Sequence, residues 1–255
     1  MLIEVDELRN SPYALILAYP RPEADVVEHR IRELKALGVT HIEFFGRKKI
    51  SGLNVLGKGC VGLVIAARTG EGRRVAVKVR RLDADRKSLA HEADMLALAN
   101  SVGVGPELFR YTDDFIVMEF IDGPHISDWL SSRPGAGEVA TVLRALLEKC
   151  RRLDEIGLDH GELSRAHSHV IIQERPGGGL EPRIVDFESA STSRRPANVS
   201  SICQFLFIGG ISAQVASLLG RTNREAMIKA LRAYKKRQGP EEFQNVLRAC
   251  GLLNI

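Results

Sequence analysis

The chain has 255 residues, 44% of them hydrophobic, and a formal charge of +4. That is enough apolar material for one sizeable domain or two small ones. It argues against global disorder, and so mild a charge establishes no nucleic-acid partner. Four scattered cysteines (Cys60, Cys150, Cys203 and Cys250) form no C-x-x-C pair, which argues against a disulfide framework or a zinc site and fits a reducing cytosol.

The first apolar run, Tyr13 to Ala18, reads as a strand broken by Pro20 and Pro22. From Glu23 to Leu37 the apolar residues Val26, Val27, Ile31, Leu34 and Leu37 recur at helical spacing, and Gly38 supplies a stop. Thr40 to Phe45 reads as a second strand. Residues 1–49 are thus expected to form a small N-terminal extension, with no chemistry assigned to it.

Residues 50–80 read as two or three antiparallel strands, with a hairpin turn at Thr69-Gly-Glu-Gly-Arg. A helix is expected over 83–101, then strands at Glu107–Phe109 and Phe115–Phe120, and a sharp break at Asp122-Gly123-Pro124. Beyond it the pattern turns helical, over Ile126–Leu130 and Glu138–Gly157. A short hairpin follows around Pro176-Gly-Gly-Gly, between Val170-Ile-Ile and Arg183-Ile-Val. Residues 198–255 are again mostly helical, broken at Gly209-Gly210 and Gly239-Pro240. No N-terminal run resembles a signal peptide, and no stretch approaches the roughly 20 apolar residues of a membrane span, so a soluble, cytoplasmic protein without a membrane partner is expected.

Two short motifs carry the chemistry. Leu-Gly-Lys-Gly-Cys-Val-Gly-Leu-Val at 56–64 places Gly57, Gly59, Gly62 and Val64 in a G-x-G-x-x-G-x-V loop that includes Lys58. Val75-Ala76-Val77-Lys78 follows at hairpin spacing. Such a loop lets backbone N–H groups approach the phosphates of ATP, and such a lysine grips them from the next strand. A carboxylate must orient the lysine. Read alone, Glu92 fits a solvated helix face as well as an ion-pair role. With Lys78 upstream it becomes the expected ion-pair partner, and Asp94 is the nearest rival.

Further on stand Val117-Met118-Glu119-Phe120-Ile121, His160-Gly161-Glu162-Leu163 and Ile184-Val185-Asp186-Phe187-Glu188. Taken together and in this order, over about residues 50–210, these parts resemble the protein-kinase-like superfamily. The I-V-D-F-E-S-A-S ending and small size are similar to its atypical lineage of RIO-type and archaeal predicted Ser/Thr kinases. The resemblance implies an α+β, bilobal fold with an antiparallel-sheet N-lobe over 50–121 and a helical C-lobe over 122–255. It implies ATP in the cleft, with adenine facing the backbone of Glu119 and Ile121, Met118 behind it, and Ala76 and Val64 among the nucleotide contacts. Asp186 would bind Mg²⁺, with Mn²⁺ the alternative ion, and Glu162 would act on a Ser or Thr hydroxyl of a protein substrate.

The match departs from the family pattern in the transfer half. Glu162 stands where aspartate is usual, and its extra methylene would displace the carboxylate by about an ångström if nothing compensated. Asp159 has the wrong spacing to replace it. The usual metal-binding asparagine is missing. His167, five residues after Glu162, or His169, directly before Val170, occupies that part of the loop. Imidazole can ligate metals, but Mg²⁺ prefers oxygen, and His169 is the better equivalent if the loop carries two extra residues. Glu188 stands where glycine is usual, and no A-P-E signature follows. This puts an ATPase, a kinase of small molecules or RNA, and a nucleotide-binding pseudokinase beside the protein-kinase reading. The run 189–193, rich in Ser and Thr, offers self-phosphorylation targets. Arg221, Arg224, Lys229, Arg232, Lys235, Lys236 and Arg237 form a basic stretch, readable as a contact for RNA or the ribosome or as a solvated helix face.

Overall fold

The apolar stretches 62–67 and 75–79, joined by the turn at Thr69–Arg73, build the central hairpin. The computed structural model describes residues 1–253 and divides them into two units, Met1–Ala97 with Pro106–Phe120, and Leu98–Gly105 with Ile121 onward. The chain is α+β, with an antiparallel main sheet.

The first unit contains strands β1 (Leu2–Glu4), β2 (Val39–Glu43), β3 (Lys48–Ile50), β4 (Leu53–Val55), β5 (Gly57–Lys58), β6 (Gly62–Thr69), β7 (Arg74–Arg80), β8 (Leu108–Tyr111) and β9 (Phe115–Glu119). Its helices are α1 (Ala14–Leu17), α2 (Ala24–Ala36) and α3 (Ala90–Asn100), the last turn of α3 belonging to the second unit. The main sheet runs β1-β2-β6-β7-β9-β8, with β5 also paired to β6. Its register divides the side chains. Leu63, Ile65 and Ala67 lie opposite Val79, Val77 and Val75, and Val77 lies opposite Val117. These residues share one face, which packs into a core with Leu8, Ile16, Leu17, Val27, Ile31 and Leu34. The other face carries Val64, Ala66, Ala76, Lys78 and Met118, paired in register across β6, β7 and β9.

Residues 1–49 therefore belong to the first unit. Two of their strands extend its sheet, and their helices cover its apolar face. Arg30, fully buried on α2, fastens this cover. Its guanidinium donates to both carboxylate oxygens of Asp114, at 2.6 and 3.1 Å, to the carbonyl of Arg80 at 2.8 Å, and to the carbonyl of Leu17.

The run expected as a strand at Tyr13–Ala18 is the short helix α1. An apolar run of this length fits either state, and here Asn10 and Ala14 carbonyls accept from Ala14 and Ala18 N–H at 3.0 and 3.1 Å. The helix expected from 83 begins only at Ala90, whose N–H is capped by the Ser88 hydroxyl at 3.0 Å. Over 50–80, where two or three strands were expected, β4, β5, β6 and β7 all form and β3 ends at Ile50, because the residues before the glycine loop make a separate hairpin of β3 and β4. The other strand boundaries agree with expectation to within a few residues, as does the turn at Thr69–Arg73.

The second unit holds α4 (Ile126–Ser131), α5 (Ala136–Glu155), β10 (Val170–Glu174), β11 (Leu180–Ile184), α6 (Asn198–Cys203), α7 (Ser212–Leu219), α8 (Arg224–Lys236) and α9 (Pro240–Ala249). Helix α5 buries Val139, Val142, Leu143, Leu146, Leu147 and Leu153 along one stripe. Near its end the buried Asp154 accepts from the backbone and side chain of Asn198, from Val199 N–H and from the Tyr234 hydroxyl, joining α5, α6 and α8. Burial pushes the Asp154 carboxyl up, and these four donors work against that rise. Among the described residues no single helix is long and apolar enough to cross a membrane.

Candidate functional site

The glycine loop is a tight hairpin. Gly57 lies opposite Val64, Lys58 lies opposite Leu63, and Gly59 N–H donates to the Gly62 carbonyl at 2.8 Å. Arg81 ties the loop down by donating to the Gly59 carbonyl, also at 2.8 Å. Lys58 reaches sideways to the Tyr19 hydroxyl at 2.6 Å. Gly62 has a steric reason to be glycine, since a Cβ there would lie 3.0 Å from both Cγ and Cε of Lys78 and from the Val79 carbonyl. The missing side chain gives Lys78 its passage.

Lys78 Nζ lies 2.7 Å from one oxygen of Glu92 and 2.9 Å from the other, with both side chains almost fully buried. Strand β7 and helix α3 present these residues to each other within the first unit. Asp94, the rival, is exposed. Met118 and Ala76 are cross-strand neighbours. Glu119 N–H donates to the Glu107 carbonyl at 2.8 Å. Ile121 is the first residue of the second unit's main segment.

The second unit gathers its own cluster. Gly157 turns the chain out of α5 with φ +75°, and the next residues are pinned one by one. Asp159 pairs with Ser191 through backbone bonds of 2.9 Å in both directions. Its side chain takes Arg194 Nε at 3.0 Å and Ala197 N–H at 3.2 Å, which is structural work and explains its presence near the histidine. His160 is fully buried. Its backbone N–H donates to Asn198, and its Nε2 lies 3.2 Å from the Val185 carbonyl. A carbonyl only accepts, so the proton sits on Nε2. Gly161 adopts φ +89°, and a Cβ there would stand 2.7 Å from Arg194 and 2.8 Å from the Ser189 carbonyl.

This framework presents Glu162. One of its oxygens lies 2.9 Å from His169 Nε2, and the other accepts a hydrogen bond from the Ser189 hydroxyl. Both oxygens of the Glu162 carboxylate are thus held. Asp186 lies 3.8 Å from the same His169 nitrogen and has φ +69°, a left-handed conformation uncommon for a residue with a side chain. Asp186 and Glu188 bring carboxylate oxygens within 4.8 Å of each other. His167 points elsewhere, with Nδ1 2.9 Å from Ser127 and its ring against Phe205. Of the two histidines, His169 is the one beside Glu162 and Asp186. Its Nδ1 is enclosed without a hydrogen-bond partner, and its Nε2 is directed at Glu162.

Burial, helped by the neighbouring His169, pushes His160 down to about 4. Its folded value thus lies below the ordinary histidine value of 6.5. The stability tied to its neutral form is intact above that ordinary value and is lost as pH falls towards the folded one. For the metal-free protein the loss should level off at roughly 3 kcal/mol. Urea midpoints across this acid range should fall steeply for the wild type and less steeply for His160→Gln.

Sequence reasoning did not single out Ser189 as a partner of Glu162. Its position three residues after Asp186 was the available signal. The basic residues from Arg221 to Arg237 are all exposed, and Arg237 lies 3.7 Å from Glu242. Compared with known proteins, the chain matches no family model and has no significant match among curated proteins.

Proposed function

We propose that the chain is an ATP-dependent phosphotransferase of the protein-kinase-like type acting on a Ser or Thr hydroxyl. The observation that carries this reading is the buried Lys78–Glu92 ion pair, formed where Gly62 makes room for the lysine. A lysine oriented in this way beside a glycine hairpin suits the phosphates of a nucleotide. The reading assigns a bilobal fold, with the first unit as the sheet lobe and the second as the helical lobe. Four free thiols agree with a cytoplasmic setting.

In this reading Gly57, Gly59 and Gly62 cradle the phosphates, and Val64, Ala76 and Met118 line the base. The carboxylates of Asp186 and Glu188 are hard oxygen donors, which fits Mg²⁺. When bound, the ion would neutralise charge on the phosphates. Glu162 accepts the proton of the attacking hydroxyl, and His169 acts as a positioning residue that aims the Glu162 carboxylate.

The test is turnover of radiolabelled ATP by the purified protein with Mg²⁺ or Mn²⁺. Lys78→Ala and Asp186→Ala should each lower it by about a hundredfold or more. Glu162→Gln should lower phosphoryl transfer by about 10²- to 10⁴-fold while nucleotide binding persists. Full activity in Glu162→Gln would remove Glu162 from the mechanism. ATP binding without any cleavage would sink the enzyme reading and leave a nucleotide-binding scaffold.

A further inference from the structure

Ser189, Glu162 and His169 form an ordered chain of contacts. The Ser189 hydroxyl donates to one oxygen of Glu162, and His169 Nε2 lies 2.9 Å from the other. This is the arrangement of a nucleophile, its base and a group that orients the base. In the function proposed above, Glu162 holds the acceptor hydroxyl, and the hydroxyl it holds belongs to this chain. We propose that Ser189 is the site of intramolecular self-phosphorylation. The inference rests on the phosphotransferase reading and adds an acceptor to it.

The step balances within known partners. Ser189 Oγ forms a bond to the γ-phosphorus of ATP, and the bond from that phosphorus to the β,γ-bridging oxygen breaks. ADP leaves with the bonding pair, and the hydroxyl proton passes to Glu162. Ser189 is half-buried, and three neighbouring observations favour it over Ser191 and Ser193. First, Ser191 and Ser193 are bonded to each other at 2.8 Å, not to a carboxylate. Second, Arg194 donates to the Ser189 carbonyl at 2.6 Å, which fixes the Ser189 backbone and sets a guanidinium on the same residue as the acceptor hydroxyl. Third, Gly161 admits no side chain between that carbonyl and Arg194, so backbone, base and hydroxyl stay in close approach.

The purified full chain is incubated with Mg²⁺ and ATP across a wide range of protein concentrations. ADP release is measured, and phosphate is mapped by tandem mass spectrometry. The expected result is phosphoserine at Ser189, formed at a rate independent of protein concentration. It should be absent in Ser189→Ala and replaced by phosphothreonine in Ser189→Thr, which retains the hydroxyl. Phosphate confined to other residues, or a Ser189 rate that rises with protein concentration, overturns the proposal. ADP release with no phosphate on Ser189 also overturns it, yet leaves the phosphotransferase reading standing. Absence of ADP from protein shown to bind ATP removes both.

Discussion

Replacing Lys78 with methionine is expected, under the proposed phosphotransferase function, to lower ATP turnover by roughly a hundred- to a thousandfold, the scale on which removing one preorganised charge donor acts. The same change should also destabilise the fold. It takes from the buried Glu92 its lysine partner at 2.7 Å, and removing one member of a buried ion pair costs about 3–5 kcal/mol. The two effects separate in a second variant. Lys78→Met combined with Glu92→Gln removes the stranded charge, so the urea midpoint should recover most of its loss. Turnover should stay at the level of the single variant, because no lysine is restored. If the double variant regained turnover as well as stability, Lys78 would be a structural ion-pair member only.

The second large effect is on stability and lies away from the candidate site. Arg30→Ala should lower the unfolding free energy by about 3–5 kcal/mol. The change deletes a fully buried guanidinium and leaves the carbonyls of Leu17 and Arg80 without that donor. Asp114 would keep Arg80, whose Nε lies 2.7 Å away. Burial works upward on the Asp114 carboxyl, but Arg30 and then Arg80 overcome it and hold it below the usual value. Its contribution is therefore present above the ordinary carboxylate value and lost as pH falls through the lowered one. Arg30→Lys should recover little, since an ammonium cannot span both Asp114 oxygens and the two carbonyls as a planar fork does. Denaturant midpoints of the three proteins at neutral and acid pH check all of this.

The hairpin of β6 and β7 was legible because a Gly-rich turn and the short spacing between the two motifs are local signals. The same locality misled at Tyr13–Ala18, where a short apolar run fits helix and strand alike and its surroundings decided for α1. The Lys78–Glu92 pair was anticipated because motif spacing stands in for distance in space. The Arg30–Asp114 pair was not, because its members are 84 residues apart and neither lies in a motif. Nor did composition reveal that residues 1–49 supply two strands of the sheet and the cover of its apolar face.

The sequence by itself determined which residues could carry the chemistry: the glycines, Lys78, Glu92, Glu162 and Asp186 are marked by type and order. Only the tertiary structure decided how the Glu162 carboxylate is held. That carboxylate is shared between His169 and Ser189, which approach it from the start of β10 and from the segment after β11. The physical reason is that a hydrogen bond depends on separations of about 3 Å and on direction. Side chains from distant segments acquire those only when the backbone between them, here pinned at Asp159, His160 and Gly161, has been fixed in space.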